Sequence, residues 1–162
     1  MKLKSNVGSE KIRIVNQYTK YKINVRFIHR IVLQVLKTIK KTQGMELEFV
    51  FLDDKAIRIL NKKYKGEDRS TDVLSFDLHE GPFSKVRLGE AFISIDRAFE
   101  NSKLFGTHIG KELTLYIIHA ILHLYGYDDV TAGDRRKMWD KQGKMLESLC
   151  RKEDLSKVLM PQ

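Results

Sequence analysis

Residues 119–129 read HAILHLYGYDD, and three of them carry side chains able to bind a metal ion. His119 and His123 stand four apart inside the greasy run LTLYIIHAILHLYGY. Residues at i and i+4 share one face of a helix, one turn apart, so two imidazoles placed this way can direct nitrogens at a single ion. Taken alone, the spacing also describes ordinary hydrogen-bonded histidines in a core or on a surface. The next six residues sharpen the reading: Gly126 can stop the helix and turn the chain back, and Asp129 can then return a carboxylate towards the same point.

The whole pattern, His-x-x-x-His-x-x-Gly-x-x-Asp, has the spacing of the metzincin zinc site, with Asp in the third place. Three protein ligands leave one coordination position for water, as catalytic zinc requires. Ala120 occupies the position where those proteases carry the Glu that deprotonates water, so peptide hydrolysis by that route lacks its base. Phosphodiester cleavage asks for something else: a metal to polarise the phosphoryl group and cations to offset developing charge. The stretch NKKYKGEDRS (61–70) and the general charge balance suit that demand better.

Thirty Lys and Arg against twenty-one Asp and Glu give a formal charge of +9, which favours polyanionic partners through counterion release. With 42% apolar residues and two prolines in 162 residues, the chain suits a folded globular protein of one domain. A single cysteine, Cys150, cannot form an internal disulfide, and MKLKSNVGSE at the start has no apolar signal region. The greasiest stretch, 113–127, is too short to span a bilayer. Together these predict a cytoplasmic protein with no membrane association.

The elements that must position the cluster can be read from periodicity. KIRIVNQ (11–17), MELEFVFL (45–52), TDVLSFDL (71–78) and VRLGEAFISI (86–95) alternate as strands, the last two around the loop HEGPFSK. Residues 27–41 show a helical stripe at 28, 31, 32, 35, 36 and 39, with Gly44 soon after it. Asp53 and Asp54 can cap a short helix, KAIRILNKKY, that Gly66 closes; DRAFENSK reads as another. The apolar helix runs 109–125. A last helix begins at Thr131 and Asp134, which stand at capping-box spacing, and lines up Met138, Gln142, Met145 and Leu149. The predicted fold class is α+β: a single domain over 1–162, with a four-stranded sheet packed by helices and the zinc site on the apolar helix and the turn after it. Residues 1–10 and 151–162 read as flexible ends.

Four segments resemble the YbeY family of single-strand-specific metallo-endoribonucleases. LNKKYKGEDRSTDVLSF is similar to the family's Leu-Asn, Tyr-Arg-Gly and Thr-Asp-Val-Leu-Ser-Phe signature, and LGEAFIS to its Leu-Gly-Asp strand. HAILHLYGYDD is similar to its His-Gly-x-Leu-His-Leu-x-Gly-Tyr-Asp-His block, and Met138 stands at the family's distance beyond it. The resemblance covers roughly residues 45–149 and is specific. It implies that His119 and His123 bind one zinc per chain and that Asp129 replaces the usual third histidine, with Asp128 as the rival ligand. It also places the family's functional arginine on Lys65, a second departure that keeps the charge and loses bidentate phosphate contact. Arg69, four residues on, is positioned to compensate.

Other residues carry weaker expectations. Glu90, at the family's acidic strand position, could meet a partner or assist proton transfer. Glu112 could bond a ligating imidazole or form a helix salt bridge, and Ser75 reads as a packing or hydrogen-bonding residue. His29, His79 and His108 read as incidental. The activity implied is zinc-dependent cleavage of single-stranded RNA, with ribosomal RNA and the ribosome as partners and no DNA. The alternatives are a ribosome-assembly factor whose metal only braces the fold, and a metal-dependent hydrolase of another substrate.

Overall fold

The computed structural model describes residues 3–7, 10–39, 45–78 and 87–160. Its elements run β1 (Leu3–Val7), β2 (Glu10–Asn16), α1 (Val25–Ile39), β3 (Met45–Leu52), α2 (Asp54–Lys65), β4 (Val73–Asp77), β5 (Arg87–Ser94), α3 (Ile95–Phe105), α4 (Ile109–Leu124) and α5 (Ala132–Lys152), with a 3₁₀ turn at Leu155–Val158. The strands form one mixed sheet in the order β1-β2-β3-β5-β4. The inner three are parallel, and β1 and β4 add antiparallel at the two edges. All four expected strands are present, and β1 joins them as a fifth within the segment read as a loose end. The expected loop HEGPFSK, with His79, lies outside the described residues.

The register explains what each face does. Ile14, Phe49, Ala91 and Ser75 stand opposite one another in one row across four strands. Opposed residues share a face, so this row looks towards the main core, where α1 and α4 pack. The neighbouring row, Arg13, Glu48, Glu90 and Phe76, looks the other way. On that reverse face α2 covers only a small cluster of Val50, Leu52, Ile57 and Leu74.

Helix ends follow local chemistry. The Asp53 carboxylate accepts from the Ala56 N–H at 2.7 Å, and Gly66 closes α2 in the left-handed conformation, φ 73°. In α1, Asn24 Oδ1 accepts from the Phe27 N–H, and the predicted apolar stripe is buried together with Phe27. Gly89 is a glycine because α4 comes close to the sheet there. A Cβ at that position would lie 2.9 Å from Leu124 Cδ1 and 3.0 Å from Leu47 Cδ2.

The expectation of a loose C-terminal segment needs correction. α5 continues to Lys152, and the 3₁₀ turn after it buries Leu155 and Val158, an i, i+3 pair, against α4. Val158 O accepts from the Asn24 N–H, the Met160 N–H donates to Lys22 O, and Ile23 bridges Leu159. Gly110 makes room for this strap: a Cβ on it would lie 1.9 Å from Leu155 O.

Candidate metal centre and cleft

Helix α4 is covered on nearly every side, which is why its sequence shows so little polar periodicity. Within its last three turns only Leu115, His119 and His123 are partly exposed. The two histidines therefore occupy the one stripe of the helix that reaches a cleft. Their Nε2 atoms face each other at 3.1 Å, with the rings edge to face.

The turn after α4 brings in the third donor. The Gly126 N–H donates to His123 O, the Tyr127 N–H donates to Leu122 O, and Gly126 takes φ 87°, reversing the chain. Asp128 then spends its carboxylate on the turn itself, with Oδ1 accepting from the N–H groups of Asp129 and Val130. Asp129 points inward, its Oδ2 3.6 Å from His123 Nε2. Arg135, one turn into α5, fixes this stretch by donating to the carbonyls of Asp129 and Val130 at 3.0 and 2.9 Å. Thr131 Oγ1 caps α5 by accepting from the Asp134 N–H.

One donor atom from each of His119, His123 and Asp129 lies within 4.8 Å of the other two, a group that could hold a metal ion. The 3.1 and 3.6 Å edges bracket the separation of roughly 3.3 Å between tetrahedral ligands bound at about 2.0–2.1 Å. Protonation favours the same role. Burial, then the neighbouring His119, hold the His123 pKa below its ordinary value despite the opposing pull of Asp129 and Asp128. Neutral imidazole is the form that binds metal.

Gln142 was visible in the sequence, but its role was not. Its Oε1 sits 3.1 Å from His119 Nδ1. An amide oxygen there accepts the Nδ1 proton, which leaves the Nε2 lone pair facing Asp129 and His123. The available signal was a lone polar residue in the otherwise apolar stripe of Met138, Met145 and Leu149.

The cleft holds about 420 Å³, and Lys65, the last residue of α2, lines it together with the histidines. Thr71, Asp72, Ser75 and Asp77 form the β4 wall. Ser75 Oγ is buried with no hydrogen-bond partner among the described residues. Among the described residues lining the cleft, Asp72, Asp77 and Asp129 bring carboxylates and Lys65 an ammonium.

Several expectations fall elsewhere. Arg69 does not line the cleft; it ion-pairs with Glu67 at 2.8 Å and is largely exposed. Glu90 lies in the reverse-face row and points away from α4, so it cannot exchange protons with this site. Burial, then the like charge of Glu48, push its pKa up. Glu112 is buried two turns from His119 and accepts from the Thr107 hydroxyl, not from an imidazole. His108 caps α4 by accepting from the Gly110 N–H. Ala120 is fully buried, so the flank where a zinc peptidase carries its base faces the core. Among the described residues no helix is long and apolar enough to cross a membrane.

Residues 13–150 match the family model described as YbeY, Endoribonuclease YbeY. Endoribonuclease YbeY of Caldicellulosiruptor saccharolyticus is 33% identical over 153 residues, covering 86% of this chain and 97% of that protein. Its counterpart from a Geobacillus species is 34% identical over 141 residues, covering 82% and 89%. The solution structure of a Thermotoga maritima protein superposes with a TM-score of 0.61 at 28% identity, covering 87% of this chain and 90% of that one.

Proposed function

Because the chain belongs to the endoribonuclease YbeY family, we propose that it is a zinc-dependent endoribonuclease that cuts single-stranded RNA during ribosomal RNA maturation in the cytoplasm. The observation that carries this reading is the convergence of two imidazole nitrogens and one carboxylate on a cleft that Lys65 also lines.

His119, His123 and Asp129 would hold the zinc, and the donor set fits it: three N/O ligands, oriented from behind, with room left in the cleft. Zinc held there supplies Lewis acidity towards a phosphoryl oxygen. The rest is the work of this chain's side chains. Gln142 keeps His119 in the tautomer that presents Nε2. Arg135 and the Asp128 turn hold Asp129 in place without drawing on its carboxylate. Lys65, which makes no ion pair among the described residues, is free to meet the phosphodiester and offset charge that grows as the bond breaks. Along the β4 wall, the Thr71 hydroxyl can donate to a phosphate oxygen, and the carboxylates of Asp72 and Asp77 can accept from ribose hydroxyls of a strand lying in the cleft.

Metal analysis run beside cleavage of a short single-stranded RNA, with and without chelator, tests the reading. One zinc per chain and cleavage that chelator abolishes and zinc restores are expected. RNA binding of undiminished strength with no chelator-sensitive cleavage would instead leave the metal with a structural role.

A further inference from the structure

Tyr64, the residue before Lys65, is 55% exposed although its ring has two phenylalanines behind it. Phe76 lies 5.1 Å from it at a tilt of 57°, and Phe92 meets Phe76 edge-on at 6.1 Å. Phe76 belongs to β4, the strand whose other side carries Ser75 and Asp77 into the cleft. The aromatic row and the cleft thus sit on either side of one edge strand, and adjacent residues at the end of α2 reach both, Tyr64 the row and Lys65 the cleft. Such backing fixes the Tyr64 ring, so little freedom remains to be lost when a flat ligand covers it.

The surrounding charges point to the ligand. Arg58 and Lys62 are held by Asp68, and Arg69 by Glu67. Lys63 and Lys65, on either side of Tyr64, make no ion pair among the described residues. The Lys63 ammonium lies 5.0 Å from the Tyr64 ring centroid, on a flexible stem that can swing to a neighbouring anion. A ring flanked in sequence by two uncommitted cations matches a base flanked by two phosphates.

We propose that Tyr64 is a stacking platform for one unpaired base of the RNA, next to the phosphate that meets Lys65. This rests on the endoribonuclease reading and extends it to strand selection. A base in a duplex has both faces covered by its neighbours, and offering one to Tyr64 costs unstacking. A base in a single strand has a face to give. Tyr64 therefore favours single strands through the π-face alone, with no requirement for base identity.

Tyr64→Leu removes the ring, and Tyr64→Phe keeps it; the position is exposed, so both variants are expected to fold. Fluorescence anisotropy with a labelled single strand and its duplex, using zinc-loaded protein, gives the comparison. Tyr64→Leu is expected to weaken single-strand binding by about 5- to 150-fold, the range for losing one base–aromatic stack, with duplex binding unchanged. Tyr64→Phe is expected to match the parent. Placing an abasic residue at successive positions is expected to find one site where the parent loses affinity and Tyr64→Leu loses nothing more. Parent-like single-strand binding by Tyr64→Leu, or abasic losses that add to those of the variant at every site, would overturn the platform while leaving the nuclease standing. A parent protein that bound no RNA would overturn both.

Discussion

Gln142 offers a way to alter the proposed metal centre without touching a candidate ligand. Gln142→Leu removes the acceptor at His119 Nδ1 while keeping bulk on the α5 face, and Gln142→Glu replaces the amide oxygen with a carboxylate. Loss of such an outer partner typically costs 10–100-fold in metal affinity. The 3.1 Å contact lies at the long end of the N–H···O range, and His119 is partly exposed, so water can replace part of what is lost. The lower part of the range, about 10–30-fold or roughly 1.4–2 kcal/mol, is therefore expected for Gln142→Leu. Gln142→Glu should move the other way, because a carboxylate on Nδ1 raises the basicity of Nε2. Zinc affinity measured by competition with a coloured chelator reads both variants, and thermal unfolding of the metal-free proteins checks the fold. Opposite shifts in affinity with matching metal-free stability would support the orienting role. Equal affinities, or two losses that follow a common loss of metal-free stability, would reduce Gln142 to a packing residue.

Asp129→Ala is expected to lower zinc content sharply in elemental analysis and Asp128→Ala to leave it intact, since Asp128 spends its carboxylate on the turn; equal retention would show the third ligand to be misassigned. Lys65→Ala should slow single-turnover cleavage with little loss of binding, and Lys65→Arg should preserve or raise the rate through a bidentate phosphate contact. Arg69→Ala should cleave at the parent rate, because Arg69 is turned to Glu67. RNA affinity should fall with salt at a logarithmic slope of about −0.7 per phosphate neutralised, and a flat dependence would remove the electrostatic argument. Asp96 accepts from the Tyr18 hydroxyl and the Asp54 N–H, so Asp96→Asn should cost about 1.5–3 kcal/mol at neutral pH by denaturant unfolding. Burial raises the Asp96 pKa, but those hydrogen bonds and Lys20 outweigh it and hold the group below its ordinary value. Its stabilisation is thus present above the unfolded pKa and lost as pH falls through the folded one, so the gap between parent and variant should close in acid.

The elements were legible wherever one face was buried and the other wet. Alternation located the four expected strands, and the stripe of α1 named its buried residues almost completely, because burial on one side leaves a period in the sequence. The two histidines and Asp129 were legible for a related reason: helix pitch and a left-handed glycine fix where three side chains meet. Partners chosen in three dimensions were not legible. Gln142 reaches His119 from another helix, and Glu90 alternates with Gly89, whose contact with Leu124 is known only once α4 is docked. Its place four residues beyond Lys65 suggests that Arg69 compensates there, but Glu67, two residues away, holds its guanidinium and Arg69 does not line the cleft. The strap at residues 155–160 escaped because two buried side chains spaced i, i+3 are too few to make a visible period.

The near-complete enclosure of α4 also bears on how this catalyst can change over generations. A large-to-small change on its buried faces costs about 2–5 kcal/mol, against a total of roughly 5–15 kcal/mol for a typical domain. Most drift in that helix is therefore removed by failure to fold before chemistry is ever tested. Room for functional variation lies where side chains leave the core, at the last residue of α2 and in the turn after α4. Lys65 stands in the first of those places and Asp129 in the second. On the proposed function, a lineage built this way can retune its metal and its phosphate contact separately, each by a single substitution, on a helix that stays fixed.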